Sequence, residues 1–281
     1  MLGNVFSPFY RSAREAGRGD PLAHCTMNVA LYGPKGKQWS LTERGGSDVT
    51  RAADELTLGA SSLRWEGGAL VADLNERVAP FPSLRPGRLR GRVRLIPEAC
   101  TDSMVPIDGK GSHLWWPVAP VARVEVELDE PKIRWSGHGY HDANAGDEPL
   151  ERAFRSWDWS RATVGRDAVL LYDTVDTAGL RRERAMRCRR GGEVEEIDLP
   201  RRFALPDTGW RMARETRADV TAYATVARTL EDTPFYARSV VRTRLLGSDV
   251  YAMHERVDLE RFTAPWVQFL LPFRMKRERP R

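Results

Sequence analysis

The residues with the most chemical potential lie between His113 and Arg161. This stretch holds three of the five histidines and five of the nine tryptophans. Its segments read Gly111-Ser112-His113-Leu114-Trp115-Trp116-Pro117, then Trp135-Ser136-Gly137-His138-Gly139-Tyr140-His141-Asp142, then Trp157-Asp158-Trp159-Ser160-Arg161. On a strand, residues two apart share a face. His113 and Trp115 then point together, as do Tyr140 and Asp142 if the strand persists that far, and so do Trp157 and Trp159. Three strand ends would bring aromatic rings and one or two acid–base groups to one cavity, a common ligand-site composition.

Plainer readings fit the same residues. Tryptophans at i, i+2 also fill cores. Asp142 to Glu151 is rich in Gly, Asn, Asp and Pro, as in an Asx-turn loop. Asp142, Asp147, Glu148 and Glu151 lack the alternation and closing Glu of an EF-hand. His138 and His141 have no third spaced ligand, so no metal site is expected. Cys25, Cys100 and Cys188 form no CxxC pair and no disulfide framework, and read as buried small hydrophobes. No Gly-x-Ser-x-Gly, Walker A or GxGxxG motif occurs; Gly33-Pro34-Lys35-Gly36-Lys37 is too short for a Walker A loop. Hydrolase, kinase and dinucleotide readings lose support, and no cofactor is expected.

The elements that must position these residues are mostly strands. Arg88–Leu95 alternates, with Leu89, Val93 and Leu95 on one face. Residues 122–128 do the same, with Val124, Val126 and Leu128 inward. Further strands are expected at 27–32, 38–43, 168–176, 194–199, 222–230, 237–245 and 250–257. Gly67-Gly68 and Gly191-Gly192 mark hairpins. Ser7-Pro8 opens a short helix closed by Gly17. A second is expected over Ser47–Leu56. With 281 residues, the pattern predicts a mainly β protein of two consecutive barrels. The boundary is expected near residue 150, giving 1–150 and 151–281.

The net charge of +5 is local. Arg181–Arg190 carries six Arg and one Glu, and residues 272–281 carry five basic residues and one Glu, leaving the remainder net −4. A nucleic-acid partner, which needs a continuous basic face, is not expected. No run reaches the ~18–20 apolar residues of a membrane helix. The longest, Phe262–Phe273, is interrupted by Pro265, Gln268 and Pro272. Met1–Arg11 lacks the basic start and apolar region of a signal peptide, so a cytoplasmic chain is expected.

Taken together, the sequence resembles the acyclic carotenoid 1,2-hydratases, or hydroxyneurosporene synthases, of purple photosynthetic bacteria. The similar segments run nearly end to end. They include Gly3-Asn4-Val5-Phe6-Ser7-Pro8-Phe9-Tyr10, residues 24–32, Gly137-His138-Gly139-Tyr140-His141-Asp142-Ala143-Asn144, residues 157–161, residues 229–239 and Leu271-Pro272-Phe273-Arg274-Met275. The resemblance implies two lipocalin-like antiparallel β-barrels with few short helices. Longer relatives carry an aromatic-rich segment ahead of the Val5–Pro8 motif, so either the first barrel is expected to lack a strand or two or the start of the sequence is misplaced. It implies hydration of a terminal isoprenoid C1=C2 bond, with neurosporene and lycopene as substrates.

That reaction protonates C2, leaves a tertiary cation at C1 and captures water. It needs a protonated carboxyl in an apolar pocket, for which Asp142 is the candidate. Trp115 and Tyr140 would face the cation. His113 would position the water or hydrogen-bond the acid. These four match the family's hydratase motifs; His141 is often apolar there and is given no role. Trp116, Trp157 and Trp159 are candidates for lining the polyene channel. The partners implied are an acyclic carotene, water and a membrane surface. The membrane would be met through Lys276, Arg277, Arg279 and Arg281 beside the apolar 266–273 stretch, on the photosynthetic inner membrane. A frayed tail after a last core strand at 269–273 is the plainer reading. A non-enzymatic carotenoid carrier and a carbohydrate-active sandwich stay open; the second needs two opposed carboxylates.

Overall fold

The computed structural model describes residues 1–34, 36–79 and 87–278. Helix α1 (Pro8–Glu15) precedes strands β1 (Cys25–Gly33), β2 (Gly36–Arg44), β3 (Val49–Arg51), β4 (Glu55–Leu58), β5 (Ser61–Glu66), β6 (Ala69–Arg77), β7 (Arg88–Ala99), β8 (Val105–Pro106), β9 (His113–Glu130) and β10 (Ile133–Gly146). Helix α2 (Leu150–Ala153) leads to β11 (Phe154–Val164), β12 (Asp167–Asp176), β13 (Arg181–Cys188), β14 (Val194–Glu196), β15 (Arg201–Leu205), β16 (Arg214–Ala218), β17 (Thr225–Asp232), β18 (Tyr236–Leu245) and β19 (Ser248–Asp258). Helices α3 (Leu259–Thr263) and α4 (Pro265–Arg274) and strand β20 (Lys276–Arg277) follow.

The protein is mainly β, as the alternation predicts. One sheet runs β10-β9-β7-β6-β5-β4-β3, with β8 on β9; another runs β14-β13-β12-β11-β19-β18-β17. The expected closed barrels do not form: among the described residues both sheets are open paths. Their end strands explain this. β3 and β14 have three residues each, and β17 carries two register shifts, so few backbone groups are aligned for closure.

The chain divides into two compact units. One comprises Met1–Ile96, Arg123–Gly139 and Gln268–Arg281; the other comprises Pro97–Ala122 and Tyr140–Val267. The division expected at residue 150 does not coincide with this one. Strands β9 and β10, of 18 and 14 residues, are long enough for each to contribute to both units.

In the first unit, Ser7 caps α1 by accepting the Tyr10 N–H at 3.1 Å. Gly67 and Gly68, both at positive φ, make the tight return between β5 and β6. Gly91 is needed for another reason: a Cβ there would collide with the Glu127–Leu128 backbone. The segment expected to be helical, Ser47–Leu56, instead supplies β3 and the first half of β4, which pair with each other. Leu58, at the end of β4, is buried and anchors that pairing.

The C-terminal region differs from both expectations. Phe269–Phe273 is not a last strand: it belongs to helix α4, which Pro265 starts. Nor is the tail frayed where it is described. Lys276 and Arg277 pair in parallel with Thr42 and Glu43 of β2, Arg277 pairs with the buried Glu43, and Glu278 bonds Arg44 at 2.8 Å. Arg279 and Arg281 lie outside the described residues. Among the described residues, no helix is long and apolar enough to cross a membrane.

In the second unit, β11, β12, β18 and β19 carry the apolar core of Ala162, Val169, Leu171, Leu245 and Ala252. Five of the six arginines of Arg181–Arg190 are paired with acids. Arg181 pairs with Glu215, Arg184 with Glu196, Arg187 with Asp167, Arg189 with Glu195 and Arg190 with Glu98.

Candidate active site

Strand β10 persists through Asp142, so Tyr140 and Asp142 do share a face. Asp142 accepts two hydrogen bonds on the same oxygen. Trp115 Nε1–H donates to Oδ2 at 2.9 Å, and the Tyr140 hydroxyl donates to Oδ2 at 3.1 Å. This pattern suits a neutral carboxylic acid, with Oδ2 as the carbonyl acceptor and Oδ1 bearing the proton.

Electrostatics point the same way. Burial pushes the Asp142 carboxyl above its ordinary value. The two donated hydrogen bonds oppose the rise, and the negative charge of Glu255 adds to it. Burial, with the adjacent Asp142, also holds the Tyr140 hydroxyl far above its usual value, so it stays a donor. No ion pair to Asp142 occurs among the described residues.

Aromatic rings surround the carboxyl. Trp115 is wholly buried and meets Tyr172 edge-on at 5.1 Å. Tyr140 and Trp159 have ring centroids 5.3 Å apart. Trp159 and Tyr172 face each other across β11 and β12, which places this group on one face of that sheet. The Arg161 guanidinium lies 5.9 Å from the Tyr140 ring centroid, so one flank of that ring already meets a cation.

The other predicted residues are distributed differently. Trp157 shares the Trp159 face and packs edge-on against Phe154 at 6.1 Å. Trp116 is on the opposite face of β9 from Trp115, and its Nε1–H donates to the Thr101 carbonyl at 2.6 Å. His113 stands two residues before Trp115 on β9. It is buried, its ring lies 5.0 Å from Phe154, and Gly146 is required because a Cβ there would strike Nδ1. Its Nε2 has no hydrogen-bond partner among the described residues. Burial holds its pKa down, against Asp108, Glu148 and Asp147, so the imidazole is neutral at neutral pH.

Asp108, His113 and Glu148 each offer a ligand atom within 4.8 Å of the others. Two oxygens and one nitrogen are donors a divalent transition ion accepts. His138 and His141 are not part of this group. Two contributors were not recognised from sequence. Tyr172 needs the β11–β12 register to be placed, and Glu255 needs that of β11–β19, where it faces Trp159. Glu255 is itself paired with Arg238 at 2.7 Å. Alternation alone gave no sign of which face of β19 meets the site.

The sequence model of the carotenoid hydratase CrtC family matches residues 1–281. The chain belongs to the carotenoid hydratase CrtC family. It is 51% identical over 278 residues to the acyclic carotenoid 1,2-hydratase of Thiocapsa roseopersicina, covering 99% of this chain and 68% of that protein. It is 45% identical over 280 residues to the enzyme of the same name from Rubrivivax gelatinosus, with the same coverage. The Cereibacter sphaeroides enzyme is 38% identical over 277 residues, covering 99% of this chain and 96% of its own length. Proteins so named are hydro-lyases. Among solved structures, an AttH protein of Nitrosomonas europaea superposes with a TM-score of 0.59 at 11% identity, covering 82% of this chain and 79% of that one. That likeness bears on the fold alone.

Proposed function

We propose that this carotenoid hydratase adds water across the terminal C1=C2 bond of acyclic carotenes, with neurosporene and lycopene as substrates. The observation that carries the reading is the half-buried Asp142, held by Trp115 and Tyr140 hydrogen bonds and paired with no cation among the described residues. An alkene is a very weak base, so proton transfer to C2 is the demanding step. A carboxyl kept protonated by burial supplies that proton. The tertiary cation left at C1 is stabilised by nearby ring faces, those of Tyr140, which bonds Asp142, and of Trp159 beside the Tyr140 ring. Trp115, being fully buried, acts through its N–H, which orients the carboxyl so that Oδ1 carries the proton. Water adds to C1 and loses a proton, restoring the acid. His113, neutral and with an unused Nε2, is assigned to ordering or deprotonating that water. Trp157 lines the path of the polyene.

The acyclic carotene resides in a bilayer, so the enzyme meets it at a membrane surface, on the cytoplasmic side of the inner membrane in this reading. Of the four basic tail residues assigned to that contact, Arg277 is committed to Glu43, and Lys276 is exposed. The lipocalin-like architecture is carried here as the family reading of the two open sheets.

The test is incubation of purified protein with neurosporene or lycopene in deuterated water. Hydroxylated product bearing deuterium at C2 is expected. A carrier would retain carotene yet form no hydroxylated product.

A further inference from the structure

Helix α4 exposes an aromatic pair in the first unit. Phe269 and Phe273 are 69% and 71% exposed, and their rings, one helical turn apart, lie 5.5 Å from each other. Leu270 beside them is 40% exposed. Contiguous apolar surface of this kind, rimmed by charge, marks an interaction site. The rim is basic. A cavity of about 150 Å³ next to Phe273 is lined by Trp39, Arg77, Arg274, Lys276 and Arg277, and by one acid, Glu278, which Arg44 holds at 2.8 Å. Arg274 lies over the Trp39 ring at 5.1 Å, and Arg277 is held by Glu43. Arg77 and Lys276 are exposed and have no ion-pair partner among the described residues.

We propose that this surface docks on an anionic phospholipid bilayer: Phe269, Leu270 and Phe273 enter the headgroup–acyl boundary while Arg77 and Lys276 receive lipid phosphates at the adjoining groove. An aromatic face flanked by cations is the composition of interfacial helices, and anionic headgroups attract each nearby basic residue. Charge complementarity favours a bilayer over a second copy of this chain, which would oppose one basic rim with another. The inference deepens the membrane contact named above. It places that contact on a helix and a groove in place of a free tail.

Purified full-length protein is sedimented with vesicles of phosphatidylcholine, alone or mixed with phosphatidylglycerol. Wild type is expected to bind the mixed vesicles, and more weakly as salt rises. Phe269→Ser/Phe273→Ser is expected to lower partitioning at least about tenfold. Arg77→Gln and Lys276→Gln are each expected to lower it about fivefold, on mixed vesicles only. Both aromatics are exposed, so unchanged thermal melting is expected to show the variants folded. Wild type that stays unbound, or a Phe variant that binds as wild type does, overturns the proposal. So does a wild-type dimer by light scattering that the Phe variant turns into monomer. Turnover of detergent-dispersed carotene, unchanged in these variants, is scored separately. An inactive protein that still binds vesicles therefore refutes the hydratase reading and leaves the docking surface standing.

Discussion

Carboxylates lie against both faces of the β11–β12–β19 sheet, Asp158 and Asp173 carried on it and the half-buried Asp142 on β10 beside Trp159 and Tyr172, and their partners differ in kind. On one face Asp158 lies 2.6 Å from Arg256 Nη1 and 3.4 Å from His254, and Asp173 lies 2.9 Å from Arg217 Nε. On the other, Asp142 accepts from the neutral donors Trp115 and Tyr140 and meets no cation among the described residues. A carboxylate given a cation ties strands together: burial raises the Asp173 carboxyl too, but there the Arg217 hydrogen bond and charge oppose the rise. One given only neutral donors in an apolar setting favours its proton. The difference separates an acid for chemistry from acids for architecture, although all three lie within one unit.

The strongest way to break this comparison is to exchange the roles. Asp142→Asn keeps the shape and an acceptor for both donors but has no proton to give. Hydration is expected to fall by about 10³-fold, with the fold retained. The linkage sign makes the control sharper. A carboxyl with a raised folded pKa contributes stability that is fully present below its unfolded value, about 3.9, and lost as pH rises through the folded value. Asn has no such loss. The variant is therefore expected to gain thermal stability relative to wild type as pH rises above about 4. A variant inactive because it unfolds at neutral pH would contradict this account.

Asp173→Asn tests the other face. It leaves the buried Arg217 with Glu183 as its remaining carboxylate partner, so unfolding free energy is expected to fall by about 2 kcal/mol, the scale of a lost hydrogen bond to a charged group, in denaturant titration. Activity per folded molecule is expected to survive. Loss of turnover without loss of stability would erase the distinction between the faces.

Much of this site was legible in the sequence. Period-two spacing put His113 with Trp115, Tyr140 with Asp142 and Trp157 with Trp159, because strand geometry alone fixes which residues share a face. What joins those pairs is register between strands distant in sequence. That is why Tyr172 and Glu255 stay unseen in the sequence, as do Asp108 and Glu148 as neighbours of His113. Trp116, next to Trp115, was counted as lining the channel although alternation turns it to the other face. Sheet closure depends on end strands of three residues, too short for any pattern to announce. Helix α4 escaped because Pro265 and Pro272 read as interruptions of an apolar run; the first in fact starts the helix.

Two smaller changes act on Asp142 through its neighbours and in opposite directions. Trp115→Phe removes a hydrogen bond that favours the ionised form. The Asp142 pKa is expected to rise and the alkaline limb of the pH–rate profile to move to higher pH. Turnover is expected to fall roughly tenfold, the scale of one lost hydrogen bond. Trp115→Ala, which also empties a buried indole site, is expected to lose about 3–5 kcal/mol of stability besides. Glu255→Gln removes a negative charge that favours the proton on Asp142. The alkaline limb is expected to move to lower pH, by less than about one unit because Arg238 already screens that charge. Catalysis needs the protonated acid, so activity is lost as pH rises through the Asp142 pKa in every case. Opposite displacements from one hydrogen-bond donor and one carboxylate identify the titrating group as Asp142. Displacement in the same direction would assign the limb to another residue and leave Asp142 with the architectural acids across the sheet.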